Sequence, residues 1–141
     1  MIRVDELRVG NWVNDGYNHY EQVWGLVKDE SKGDSINGHP CDVFKPIPLT
    51  EKILLNMCGF EKIVTEGNFD LGYGDEISYG LEFKREFYLS YLDDFSVGIF
   101  SSKKASNDEL GICIPLNSAL YLHQLQNIYF MLSGEELEIK L

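Results

Sequence analysis

The sequence predicts an α+β protein. An N-terminal small β-barrel-like (SH3-like) unit spans residues 1–45, and an antiparallel β-meander sheet covered by two helices spans residues 46–141. Three observations carry this expectation. Residues 77–99 alternate apolar and polar side chains with a period of two in successive runs, the signature of antiparallel strands with one buried and one wetter face. Residues 119–132 repeat apolar positions at the helical period instead. Between the two parts stands Pro46-Ile47-Pro48, a rigid extended bridge, because proline fixes its own φ and restricts its predecessor.

The N-terminal unit begins with Leu7 to Val13, enters an Asn/Asp/Gly-rich turn at Asn14 to Asn18, and returns as a strand from Tyr20 to Val27. In a curled strand, Val23 with Val27 and Trp24 with Leu26 are expected on opposite faces. Lys28 to Pro40 reads as a loop and Val43 to Lys45 as a third short strand.

A short helix is expected at Glu51 to Cys58, with Thr50 as its N-cap and Gly59 as its stop. Leu49 would staple onto Leu54. The meander strands are centred on Ile77–Phe83, Phe87–Tyr91 and Phe95–Ile99. Weaker strands are expected near Ile63–Thr65 and Phe69–Tyr73, with turns at Lys84–Glu86 and Asp93–Asp94. Ser101 to Glu109 is a polar loop, and a last meander strand starts at Ile112 and Ile114 and stops at Pro115. The closing helix runs from about Ala119 to Leu132, capped by Asn117 or Ser118, with its apolar face on the meander. Gly134 ends it, and the alternation of Leu137, Ile139 and Leu141 adds a terminal strand.

Composition narrows the function classes. Apolar residues make up 44% of the chain and aromatics 13%, enough for a core and contrary to disorder. The net charge of −11 is spread evenly, with 12 acids and seven Lys or Arg in residues 1–70 and 11 and five in the rest. A phosphate backbone is repelled by such a field, so direct nucleic-acid binding is disfavoured. The basic pairs Lys84–Arg85 and Lys103–Lys104 make no stripe. Three isolated cysteines, no apolar run long enough for a membrane span and no signal-peptide layout point to a cytoplasmic protein without a membrane partner.

No catalytic, cofactor or metal site is expected. His39-Pro40-Cys41-Asp42 gathers metal-capable residues, but zinc needs three or four converging ligands in spacings this chain lacks. No nucleophile elbow, Walker motif or dinucleotide fingerprint occurs. Asp93–Asp94 fits a hairpin turn better than acid–base catalysis.

Two groups of residues are candidates for contact with a partner. His123, Gln126, Asn127 and Phe130 stand at i, i+3, i+4 and i+7 on the closing helix. They form either a contact stripe or, as the favoured reading, amides that bond backbone groups of the neighbouring unit. Trp12, Tyr20 and Trp24, with Tyr17, bracket the first hairpin. They either line a peptide groove or pack a small core, with one tryptophan assigned to the core.

The blocks Leu7-Arg8-Val9-Gly10-Asn11-Trp12-Val13, Lys45-Pro46-Ile47-Pro48-Leu49-Thr50, Cys58-Gly59-Phe60-Glu61, Leu122-His123-Gln124-Leu125-Gln126-Asn127 and Ser133-Gly134-Glu135-Glu136-Leu137 together resemble a family of small Bacteroidetes proteins. Members often occur in prophage or mobile-element surroundings and have no established function. The resemblance implies a gut-commensal type of host and a phage or element origin, but no activity, cofactor or catalytic residue. The leading expectation is a non-enzymatic protein-interaction module, with a homodimer among the partners open to it. An acidic inhibitor or mimic that occupies a nucleic-acid-binding host protein is the alternative, and a small-molecule enzyme with an unrecognised site is the third.

Overall fold

In the computed structural model, which describes residues 2–67, 69–72, 74, 76–83, 87–92, 96–100 and 113–140, the chain divides into two units. The first comprises Met1–Leu49 and Leu120–Leu137, and the second Thr50–Ala119 and Glu138–Leu141. The architecture is mixed, with antiparallel sheets and one main helix.

In the first unit, β1 (Trp12–Asn14) and β2 (Tyr20–Gln22) form a two-stranded antiparallel sheet, with Val13 opposite Glu21. The turn between them depends on Gly16. Its φ is +90°, and a β-carbon there would stand 2.5 Å from the Val43 carbonyl oxygen, so a side chain is excluded twice over.

The chain then breaks. β3 (Leu26–Val27) joins a separate three-stranded sheet with β4 (Ser35–Ile36) and β5 (His39–Pro40). The predicted strand from Tyr20 to Val27 is therefore two strands, and the predicted loop Lys28–Pro40 holds two more. The described strands close no barrel, so the SH3-like expectation reduces to two small open sheets.

The break splits the expected pairs: Val23 and Trp24 part as expected, but Val27 is exposed and Leu26 packs against the core. Val23 is buried, while Val27 is 54% exposed and Trp24 69%. The third predicted strand, Val43 to Lys45, is a 3-10 turn at Cys41–Val43 followed by a single bridge from Lys45 to Asn14. Ile2, Val4, Leu7, Val13, Val23, Ile36 and Phe44 form the buried core of this region.

The helix of the first unit, α1 (Leu122–Ser133), begins three residues later than predicted, with Tyr121 as its N-cap. Backbone pairing explains the delay. Leu49 donates to the Leu120 carbonyl at 3.0 Å and Leu122 to the Ile47 carbonyl at 2.8 Å, which holds Leu120 and Tyr121 extended. Gln124 caps the first turn by accepting from the backbone N–H groups of Leu120 and Tyr121. Gly134, at φ +74°, ends the helix as expected. The sequence reading laid the helix's apolar face on the meander and left its opposite face to the N-terminal unit or a partner; the structure groups the helix with the N-terminal strands.

The second unit is built on a five-stranded meander in the order β10-β9-β8-β7-β6. Its strands are β6 (Glu61–Thr65), β7 (Glu76–Phe83), β8 (Phe87–Leu92), β9 (Ser96–Phe100) and β10 (Cys113–Ser118). Register sets Lys62, Tyr79, Tyr91 and Val97 in one cross-strand row. The rings of Tyr79 and Tyr91 sit 6.3 Å apart, within the favourable range for an aromatic pair.

The expected wetter face is absent at the centre, where Ser78, Gly80, Ser90 and Gly98 are also buried. β10 runs past Pro115, not up to it. The proline fits a strand that has a neighbour on one side only among the described residues, and the register slips just after it.

Before the meander, Thr50 Oγ1 accepts from the Ile53 N–H at 3.2 Å, an N-cap as predicted. The segment then loosens into a π-helical turn, Ile53–Met57. Phe69–Leu71 is a 3-10 turn rather than a strand. Residues 134–140 form no strand; Lys140 donates a single bond to the Met57 carbonyl. The predicted turns Lys84–Glu86 and Asp93–Asp94, the loop Ser101–Glu109, and Tyr73, Phe95, Ile112 and Leu141 lie outside the described residues. Among the described residues no helix is long and apolar enough to cross a membrane.

Candidate interaction surface

The first unit holds both groups of candidate residues and treats them differently. On β1–β2, Val13 and Val23 point to the core. Alternation then sends Trp12, Tyr20, Gln22 and Trp24 to the opposite face. The ladder continues one residue past β2, because Val23 donates to the Asn11 carbonyl and accepts from Gly10, so Trp24 keeps the phase of Tyr20 and Gln22. Trp12 is half-buried, Tyr20 is 39% exposed and Trp24 is the most exposed of the three. Sequence reading brought these aromatics together, and the register places them on one face.

Asn37 fixes the far end of that face. It is buried, and its Oδ1 accepts from the backbone N–H groups of Trp24 and Gly25 at 2.8 and 3.0 Å. Its Nδ2 donates to the Gln22 carbonyl at 3.0 Å. One side chain thus satisfies the backbone groups freed where β2 leaves its sheet. Asn37 and Gly38 both have positive φ, 52° and 80°, and form the two-residue turn of the β4–β5 hairpin. An Asn-Gly pair between short extended runs is a hairpin signal in its own right, and it was overlooked because the polar flanks read as loop.

On α1 the polar stripe turns inward. Gln126 is buried; its Oε1 accepts from the Trp12 N–H at 2.9 Å, and its Nε2 donates to the Gly10 carbonyl at 3.2 Å. Asn127 Nδ2 donates to the Glu6 carbonyl, and its Oδ1 accepts from Asn11 Nδ2 at 2.8 Å. Asn11, itself fully buried, also accepts from the Arg8 N–H. These amides bind the helix to backbone groups of the N-terminal segment, the favoured of the two sequence readings.

Phe130 is separate from them and 38% exposed, with the Arg8 guanidinium 4.1 Å above its ring centroid. Arg8 also forms a two-pronged ion pair with Glu136. Sequence reading missed Arg8, Asn11 and Glu136, whose pairing spans most of the chain and leaves no local pattern.

His123 is the second buried polar group of α1. Its side chain is 1% exposed and its ring stacks on Tyr121 at 5.9 Å. Neither ring nitrogen has a hydrogen-bond partner among the described residues. The Glu6 carboxylate lies 3.9 Å from Nε2. Burial pushes the imidazole below its ordinary value, and Glu6 offsets this only in part.

The sign of the linkage follows. The unfolded chain binds a proton more readily than the folded one, so the stability held in neutral His123 is complete above the ordinary histidine value of about 6.5 and is lost as pH falls below it. The unfolding free energy of the first unit should decline on mild acidification, by at most about 1.4 kcal/mol per pH unit. His123→Phe should flatten that decline while keeping the stacked ring. Denaturant titrations followed by tryptophan emission across this range would show it, and equal slopes for the two proteins would refute the assignment.

Among the described side chains, neither Cys41 nor Cys58 offers an activated thiolate. Burial pushes the Cys58 thiol up to about 12. Burial also raises that of Cys41, whose Sγ donates to the Ile2 carbonyl at 3.1 Å. Among the described residues no three His, Cys, Asp or Glu side chains converge as a metal ion would require.

Among the described residues, this unit bears two pockets of note. The larger, about 600 Å³, lies among Arg3, Asp5, Lys28, Asp34 and Cys41. Asp5 is already engaged there by Lys28 at 2.8 Å and Arg3 at 3.4 Å. The smaller, about 320 Å³, lies at the tip of the β1–β2 hairpin between Asp15, Tyr17, Glu21, His39, Val43 and Phe44.

No family model, curated protein or solved structure matches this chain. Any functional reading therefore rests on the geometry of the described residues.

Proposed function

We propose that the protein is a non-enzymatic protein-interaction module that meets its partner through the Trp12–Tyr20–Trp24 face of β1–β2. The observation that carries this reading is the exposure of Trp24, at 69%, on the face that also presents Tyr20. A tryptophan left in water forgoes a burial worth roughly 2–3 kcal/mol, and rigid aromatics are the residues most enriched among binding hot spots. The structural duties of this segment fall to other groups: Val13 and Val23 fill the core, and Asn37 holds the backbone. The Trp24 indole is free of them.

The test compares wild type with Trp24→Ala. The substitution should leave the circular dichroism spectrum and the unfolding midpoint within error, because an exposed side chain is removed. Affinity capture from host lysate, treated with nuclease, should recover one stoichiometric protein on the wild type and lose it on the variant. An unchanged capture profile would sink this reading of the face. Loss of the partner on nuclease treatment of the wild type would favour a nucleic-acid-borne association instead.

A further inference from the structure

We propose that the pocket at the tip of the β1–β2 hairpin receives an arginine side chain of the partner polypeptide, with Glu21 and Asp15 facing its guanidinium and Tyr17, Val43 and Phe44 lining its stem. This inference rests on the interaction reading above and names what the partner brings. Glu21 is half-buried at the pocket and has no ion pair among the described residues. A carboxylate at a pocket with no cation of its own attracts one.

Asp15 supplies the second charge. Its Oδ1 accepts from the backbone N–H groups of Tyr17 and His19 at 2.7 and 3.1 Å, and the exposed His19 ring stands 3.4 Å from Oδ2. The walls are apolar and unusually open to water, with Tyr17 81% and Val43 44% exposed. The exposed His39 completes the rim.

Two carboxylates among aromatic and aliphatic walls suit a cation with a long apolar stem. Arginine fits better than lysine because its planar, weakly hydrated guanidinium both stacks on rings and pairs with carboxylates. The larger pocket makes no such demand, since its charges neutralise one another. A polypeptide is favoured as the source because β2 presents Tyr20 to the aromatic face and the adjacent Glu21 to the pocket. Neighbouring residues of a strand point to opposite faces, so one chain wrapping round the β2 edge would engage both.

The test is a titration of the intact protein with N-acetyl-arginine amide, read by backbone amide chemical shifts. Saturable shifts are expected in residues 15–21 and 39–44. N-acetyl-citrulline amide, which keeps the shape and lacks the charge, should produce none. Glu21→Gln should weaken arginine binding about tenfold, as loss of one charge-assisted contact does.

The proposal is overturned if no saturation is reached by roughly 20 mM, where even a weak single-residue contact would be filled. It is also overturned if citrulline shifts the same amides, or if the shifts map elsewhere. Methylguanidinium binding as tightly as the arginine amide would overturn the polypeptide source. Each of these failures leaves the Trp24 capture result standing, so the two readings fail separately.

Discussion

Replacing Asn37 with alanine should lower the stability of the first unit by about 4 kcal/mol. Three hydrogen bonds disappear, and each leaves a part-buried backbone group without its partner, at about 1 kcal/mol apiece. Alanine must also adopt the positive φ of 52° that asparagine tolerates, at a cost of about 1 kcal/mol. Asn37→Gly separates the two contributions. It loses the same hydrogen bonds but accepts the backbone angle, so it should be the milder change by about 1 kcal/mol. Both tryptophans belong to the first unit, so their emission reports its unfolding by denaturant without mixing in the meander. A loss below roughly 1 kcal/mol for the alanine variant would show that water replaces the amide and that Asn37 is no clamp. The consequence for function is direct: Trp24 is held through its backbone N–H, so the glycine variant, even folded, should present the aromatic face less rigidly.

How far the sequence could be read depends on where the determinants lie along it. The meander was legible because period-two alternation is local: Ile77, Tyr79 and Leu81 announce β7 without reference to any other segment. The amide stripe at 123, 126, 127 and 130 was legible for the same reason, as a helical spacing. Three features were hidden. The small sheet β3-β4-β5 has two-residue strands, too short for any periodicity, and only the Asn37-Gly38 turn marked it. The break after Val23 is held by a side chain more than ten positions away, so the aromatic run looked continuous. The grouping of α1 with the N-terminal strands rests on bonds spanning more than a hundred residues; the helical spacing of the amides marked the donors and acceptors, but nothing local marked Gly10, Asn11 and Trp12 as their partners. Of the candidate site, the aromatics were visible as residue types, but their common face depended on knowing that Val23, not Trp24, enters the core. The pocket was invisible, because Glu21 and Val43 come together only when the hairpin tip folds onto the turn at Cys41–Val43.

Gln126→Leu should cost the first unit about 2–3 kcal/mol, which is the penalty for stranding a buried donor with a side chain of similar size. The Trp12 N–H loses its acceptor in the interior beside β1. The Gly10 carbonyl is less affected, because Gln22 Nε2 also donates to it at 3.2 Å. Leucine preserves packing between the buried Leu122 and Leu125, so the loss isolates the hydrogen bonds from cavity formation. Gln126→Glu should be worse at neutral pH. Its carboxylate could still accept from Trp12 but would face the Gly10 carbonyl with no cation at hand. That variant carries its own sign test. Burial would raise the new carboxyl above its unfolded value of about 4.3, so the missing stability returns below that value and is lost again as pH rises through the raised one. The Asn11–Asn127 pair supports the same anchorage, and a double-mutant cycle through alanine should return a coupling of about 1 kcal/mol. If Gln126→Leu proved neutral and the cycle additive, the apolar face of Leu122, Leu125 and Ile128 would be sufficient to hold α1. The buried amides would then serve to set its register against β1, which the position of the Trp12 amide in a hydrogen-exchange measurement would reveal.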